Sequence, residues 1–207
     1  MDIIDHVWRT NSSTVYHFGD VCIKEYNPEL YLLSDIDKHI MDKDVFDILK
    51  KVDNPIFMHL LDYDLDENGR IKKYMYEYIR SIKETLAHLP IDYTIVSLRF
   101  LIDLADYLTE EGIYMFDPNP GNVLVTADGL KVIDPDLYRF DKGDKTSLKK
   151  FNRNMALKYV LYKYIDGDPV VNSTDHPINK AFDIDPSIYK DPADEVYKRI
   201  KSRRSNT

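Results

Sequence analysis

An α+β chain is predicted, with a small antiparallel sheet over residues 1–79 and a mainly helical part over residues 80–207. Three observations carry that expectation. Strand-like runs separated by Gly-Asp and Asp-Glu-Asn-Gly fill the first part. Apolar residues at helical spacing dominate from Ile95 to Leu108. A strand, a turn at Ala127-Asp128-Gly129 and a returning strand lie beyond them.

Taken in order, residues 3–8 read as a first strand and residues 9–14 (RTNSST) as a turn. Strands at 15–18 and 21–26 join at Gly19-Asp20, which places Lys24 in a strand. Ile36, Ile40, Val45, Ile48, Leu49 and Val52 recur at mostly helical intervals, consistent with one helix or a broken pair over 35–52. Residues 56–65 and 71–79 complete a sheet of about five strands. A short helix is expected at 81–88, after which Leu89-Pro90-Ile91-Asp92 breaks the run and offers an N-cap. The long amphipathic helix from residue 93 ends before Gly112, and its apolar face needs a partner, for which 155–165 is the candidate. Residues 141–150 read as a charged linker, and a last short helix is expected from 191 or 192 to 202.

The chemistry concentrates in residues 114–140, YMFDPNPGNVLVTADGLKVIDPDLYRF. Two prolines and a glycine interrupt Asp117-Pro118-Asn119-Pro120-Gly121-Asn122, so this stretch is a rigid loop. Strands at 123–125 and 130–133 then return the chain and deliver Asp134 beside that loop. Two carboxylates and a carboxamide are oxygen donors suited to Mg²⁺, which is usually held by one or two protein groups together with substrate phosphates. A carboxylate left free of metal can orient a hydroxyl and accept its proton. The same residue types also serve as loop caps (Asp117, Asn122) and turn formers (Asp128, Asp134).

DPNPGNVLV, with its hairpin and following Asp, resembles the catalytic loop and metal-binding segment of the protein-kinase-like fold. Within that superfamily it looks closest to the loops of aminoglycoside and choline phosphotransferases and related atypical small kinases, where a proline-glycine pair also precedes the Asn. The resemblance implies a two-lobed fold, with a small antiparallel-sheet N-lobe at 1–79 and a shortened helical C-lobe at 80–207 that carries the catalytic hairpin, together one domain. It implies ATP and Mg²⁺ as cofactors, Asp117 as the base, and Asn122 and Asp134 as metal ligands. VCIK resembles the strand whose lysine, here Lys24, neutralises the inner phosphates. Ser12 and Ser13 fall in the phosphate-covering turn, Tyr76 at the back of the nucleotide pocket, and the backbone of Glu77, Tyr78 and Ile79 against adenine. The implied activity is ATP-dependent phosphoryl transfer to a hydroxyl of a protein or small molecule that the sequence does not name.

Departures from the pattern support a second reading, a catalytically weak or inactive pseudokinase serving as a nucleotide- or partner-binding module. The phosphate-covering turn has no glycine. Asn119 stands where protein kinases usually have Lys, and Met115-Phe116 where they have His-Arg. Pro135-Asp136 replaces Phe-Gly after Asp134, which stiffens the segment. The helix glutamate that pairs with the strand lysine in kinases corresponds to Val45; Asp44 and Asp47 are the nearest acids, with Asp37 another possible source.

Composition narrows the remaining classes. A net charge of −8 argues against broad nucleic-acid binding, and Lys198, Arg199, Lys201, Arg203 and Arg204 read as a solvated basic tail or a contact for an acidic partner. No apolar run approaches about 18 residues and Asp2 and Asp5 occupy the start, so no membrane partner is expected and a cytoplasmic location is the default. Cys22 is the only cysteine, which excludes an internal disulfide and a cysteine metal cage. The 16 tyrosines are read as packing residues whose rings bury while their hydroxyls stay paired.

Overall fold

The computed structural model describes residues 4–52, 54–82, 85, 94–164 and 202, the side chains of 52, 94–97, 120 and 157–164 excepted. Its internal contacts define two compact units, Met1–His88 with Gly121–Arg139 and Leu89–Pro120 with Phe140–Thr207.

The first unit is built on a five-stranded antiparallel sheet in the order β1-β2-β3-β5-β4. Its strands are β1 (His6–Arg9), β2 (Ser13–Phe18), β3 (Val21–Tyr26), β4 (Leu60–Leu65) and β5 (Ile71–Glu77). Gly19 turns β2 into β3 at φ 56°, a conformation that glycine adopts without a Cβ penalty. Asp66 organises the β4–β5 turn, its Oδ1 accepting the N–H groups of Asn68 and Arg70 at 2.9 and 2.8 Å. Along β3 the side chains alternate, so Cys22, Lys24 and Tyr26 are buried while Val21, Ile23 and Glu25 are not.

Between β3 and β4 the 35–52 segment is a broken pair, a 3₁₀ turn at Ile36–Lys38 and a helix, α1, at Lys43–Val52. Asp42 caps α1, its Oδ1 accepting the Asp44 N–H at 3.0 Å. Val45, Phe46 and Leu49 are buried, and the Phe46 ring meets Tyr63 edge-on at 4.8 Å.

The strand expected at 56–65 begins only at Leu60, and the reason is tertiary. Residues 56–58 pair with the second hairpin instead: Val132 N–H donates to the Ile56 carbonyl and Met58 N–H to the Val132 carbonyl. That hairpin consists of β7 (Val123–Thr126) and β8 (Gly129–Val132), numbered after a short strand β6 (Ile113–Tyr114) of the second unit. β5 stops at Glu77, short of the expected 79, although the Tyr78 N–H still donates to the Asp20 carbonyl in continuation of the β3–β5 register.

The second unit contains α2 (Thr94–Glu110), β6 and α3 (Lys145–Tyr164); a two-residue strand, β9 (Arg139–Phe140), spans the boundary. Leu98, Leu101, Leu104, Ala105 and Leu108 form the buried stripe of α2, which packs against α3. α2 ends at Gly112, φ 76°, the left-handed position that commonly closes a helix. α3 begins well before residue 155, inside the expected charged linker. Asp144 caps it, accepting the Ser147 N–H and hydroxyl at 2.8 and 2.7 Å, and Leu148 and Phe151 bury its first apolar turns.

Ser81 and Ile82 are not helical; the remainder of the 81–88 expectation lies outside the described residues apart from Thr85, which is not helical either. The expected helix at 191–202, Ser202 apart, and the basic cluster near it also lie outside them. Among the described residues no helix is long and apolar enough to cross a membrane.

Candidate functional site

β3 delivers Lys24 to the interior of the first unit, where its side chain is 8% exposed. A charged ammonium that deep requires compensation. It receives two carboxylates: Asp134 Oδ1 at 2.5 Å and Asp136 Oδ2 at 2.7 Å. Both come from the turn after β8. Asp134 sits in the left-handed region at φ 59°, ψ 57°, alone among the described non-glycine residues in having a positive φ, and Pro135–Leu137 follow as a 3₁₀ turn. Asp is one of the few residues that enter this region readily, and proline suits the first position of the turn. The kink lets residues two apart address one cation.

Neighbouring groups hold the second carboxylate. Tyr74, the cross-strand partner of Lys24, donates its hydroxyl to Asp136 Oδ1 at 2.8 Å. The Arg139 guanidinium donates to the backbone carbonyls of Asp136 and Tyr138, both at 2.6 Å, and of Asp37 at 2.5 Å. Tyr26 completes the surroundings, with the Lys24 ammonium 5.8 Å from its ring centre and its hydroxyl accepting the Met41 N–H.

Burial by itself works to lower the Lys24 pKa, but Asp136 and then Asp134 outweigh it and hold the ammonium above its ordinary value. For Asp134, burial and then the adjacent negative charge of Asp136 raise the carboxyl above the usual carboxylate range despite Lys24. Tyr74 and Tyr26 are likewise raised by burial first and Asp136 second, which keeps both as neutral phenols. One cation faces two carboxylates, so the cluster carries a formal excess of negative charge, and the Asp134 side chain remains 40% exposed.

Asn122 ends a 3₁₀ turn at Pro120–Asn122, and its carbonyl accepts the Ile133 N–H at 2.8 Å. That bond extends the β7–β8 ladder past the Val123–Val132 pair and sets Asn122 beside the residue preceding Asp134. Asp117, half-buried, belongs to the second unit, in the loop after β6. Lys24, Asn122 and Asp134 all belong to the first.

A cavity of about 620 Å³ lies in the first unit, within the range of small-molecule sites. Val15 and Cys22 line it from the sheet, Tyr76, Tyr78 and Ile79 from the end of β5 and the chain beyond, and Leu124 and Ile133 from the hairpin. Cys22 precedes Lys24 by one alternation of β3, and Ile133 adjoins Asp134, so the apolar cavity borders the charged cluster. Tyr78 stacks on His17 at 3.9 Å. The Glu77 and Tyr78 N–H groups donate to the His59 and Asp20 carbonyls. In the turn before β2, Thr10 Oγ1 accepts the N–H groups of both Ser12 and Ser13, and Ser13 is buried at the start of the strand.

None of the acids considered from sequence as the helix partner of Lys24 shows an ion pair with it. Asp47 pairs with Lys43 at 2.6 Å, Asp37 pairs with Arg70 at 3.1 Å, Asp44 is exposed, and Val45 is fully buried. In the sequence Asp136 stands out only as the residue in place of glycine. The signal that could have found it is the acid-proline-acid run itself, two carboxylates held a fixed step apart by a rigid residue.

No protein-family model matches the chain. No curated protein matches it either. Among solved structures, the chain is similar to the kinase domain of Mycobacterium tuberculosis PknI, in a cysteine-to-alanine mutant. The TM-score is 0.60 at 14% identity, over 87% of this chain and 80% of that one. At that identity the likeness speaks to architecture, and together with the sheet order and helices it shows that this chain has the two-lobed protein-kinase-like fold.

Proposed function

We propose that the chain is an ATP-dependent phosphotransferase that uses Mg²⁺ and acts on a hydroxyl of a protein or small molecule. One observation carries the reading: a buried lysine held between two carboxylates at the edge of an apolar cavity. Such a cavity suits a purine, and the lysine beside it suits a phosphate.

The donor set fits Mg²⁺ with nucleotide better than Mg²⁺ alone. Among the described residues no three or more His, Cys, Asp or Glu side chains are placed to hold a metal. Asp134 and Asn122 would supply two oxygen donors, the number usual when phosphates provide others. Bound there, Mg²⁺ would neutralise charge on the phosphate oxygens. Lys24 would hold the inner phosphates, and Val15, Tyr76 and Leu124 would exclude water around the base. Asp117 would orient the acceptor hydroxyl and take its proton as the new oxygen–phosphorus bond forms and the bond to the terminal phosphate's leaving oxygen breaks.

In this reading residues 1–79 are the N-lobe and 80–207 the C-lobe of one cytoplasmic domain. DPNPGNVLV supports a place near the aminoglycoside and choline phosphotransferases. A nucleotide- or partner-binding module is the second reading, favoured by the fully buried Val45 where a kinase helix carries its glutamate.

Nucleotide binding with and without Mg²⁺, on the parent and on Asp134→Asn, tests the reading. Metal-dependent binding in the parent and its loss in the variant are expected; equal weak binding by both would remove the metal site. In Asp117→Asn, lost phosphate transfer with retained nucleotide affinity would support the enzyme. Absence of turnover in parent and variant alike, across varied acceptors, would favour the module.

A further inference from the structure

We infer that Asp136 is the residue that positions Lys24, so that the lysine is set by the turn after β8 and not by helix α1. The observations come from the first unit alone. Asp136 is 9% exposed in its side chain, lies 2.7 Å from the ammonium, and is itself fixed by the Tyr74 hydroxyl at 2.8 Å. Its backbone carbonyl is held by Arg139, and its approach is stiffened by Pro135. The α1 acids offer no substitute: Asp47 is committed to Lys43, and Asp44 is exposed.

The consequence concerns how the site is assembled. Where a helix supplies the lysine's counter-ion, a shift of the helix disconnects it. Here the counter-ion is joined through Pro135 to Asp134, so one rigid turn fixes both the lysine and the proposed metal ligand. A shift of α1 would therefore not by itself take a counter-ion from Lys24. As a device for presenting a phosphate-binding lysine, this rests on the nucleotide reading above; as a statement about what holds Lys24, it does not.

Asp136→Asn separates charge from hydrogen bonding, because the carboxamide oxygen can still accept from Tyr74 while the anion is gone. The direct readout is hydrogen exchange of the Lys24 ammonium by ¹H–¹⁵N NMR of lysine-labelled protein, which needs no nucleotide. Exchange is expected to accelerate at least about tenfold in Asp136→Asn, the loss of one of two charge-assisted bonds. Partial recovery is expected in Asp136→Glu, and no change in Asp44→Asn or Asp47→Asn. Unchanged exchange in Asp136→Asn would overturn the inference, as would equal acceleration in Asp47→Asn. Should Asp136→Asn fail to fold, Tyr74→Phe releases the carboxylate from its far side. Faster Lys24 exchange in that folded variant supports the role, and parental exchange overturns it. Mg²⁺-ADP titration of the parent runs alongside: no binding there removes the nucleotide reading while the exchange result still decides what holds Lys24.

Discussion

Asn152 of α3 accepts the Met115 N–H through its side-chain oxygen at 2.8 Å and donates its amide to the Ile113 carbonyl at 2.8 Å and to Thr109 Oγ1 at 3.1 Å. It is fully buried and ties the helix to the chain that leads into the 117–122 loop. Replacing it with Leu leaves the Met115 amide and the Ile113 carbonyl without this partner. A loss of about 2–4 kcal/mol is expected, more than a single exposed bond is worth. Urea denaturation of Asn152→Leu measures it, and an unchanged midpoint would contradict the buried network.

Lys24→Met should destabilise the fold by about 3 kcal/mol at neutral pH, because it leaves Asp134 and Asp136 facing each other without a cation. The sign with pH is distinctive. Protonation of Asp134, whose carboxyl burial and the neighbouring Asp136 already raise, relieves the repulsion, so the deficit relative to the parent should shrink as pH falls. Thermal melts of both proteins across the acid range provide the check; a deficit that grows on acidification would contradict the arrangement.

The Arg153 guanidinium grips Asp106 with two bonds, 2.7 and 2.6 Å. Its hydrogen bond holds the Asp106 carboxyl below its ordinary value of 3.8. A depressed carboxylate contributes stability above its unfolded pKa and loses it as pH falls through the folded value. Asp106→Asn should therefore be less stable than the parent at neutral pH and indistinguishable from it once both states of Asp106 are protonated. Because the pair is partly exposed, the neutral-pH difference should stay within about 1 kcal/mol and shrink in high salt.

Two glycines with positive φ give an internal contrast. At Gly112, φ 76°, an added Cβ would lie 3.2 Å from the Phe140 ring, whereas at Gly19, φ 56°, nothing lies within 4 Å. Gly19→Ala should cost about 1 kcal/mol for left-handed backbone strain alone. Gly112→Ala should cost more, since Phe140 must also shift. Equal midpoints in denaturant would show that the ring yields freely.

The parts of the fold set by local periodicity were legible from sequence. The β2–β3 hairpin, the long α2 and the β7–β8 hairpin follow from alternation, turn residues and helical spacing, each confined to neighbours along the chain. What escaped depended on distant partners or on caps hidden by charge. Residues 56–58 look like part of a strand, yet pairing with Val132 removes them from β4. The start of α3 lay inside a charged run whose capping role, at Asp144, is not visible in hydropathy. In the candidate site, Lys24 and Asp134 stand 110 positions apart, and only the order of the motifs suggested a common place for them. Asp136 had no such guide, since its interaction with Lys24 depends on the left-handed turn at Asp134.

The first unit is discontinuous: its last strand pair and its acidic turn emerge from the ribosome only after the long helix of the second has been made. A nascent chain that has reached residue 120 holds all five strands of the sheet but neither of Lys24's carboxylate partners and no Val132 to receive residues 56–58. The sheet therefore cannot close over its lysine until synthesis has passed Arg139, whose guanidinium reaches back to the Asp37 carbonyl. Completion of this unit is coupled to the order in which the polypeptide is delivered, and chains stalled before that point would carry an ammonium without its carboxylate partners.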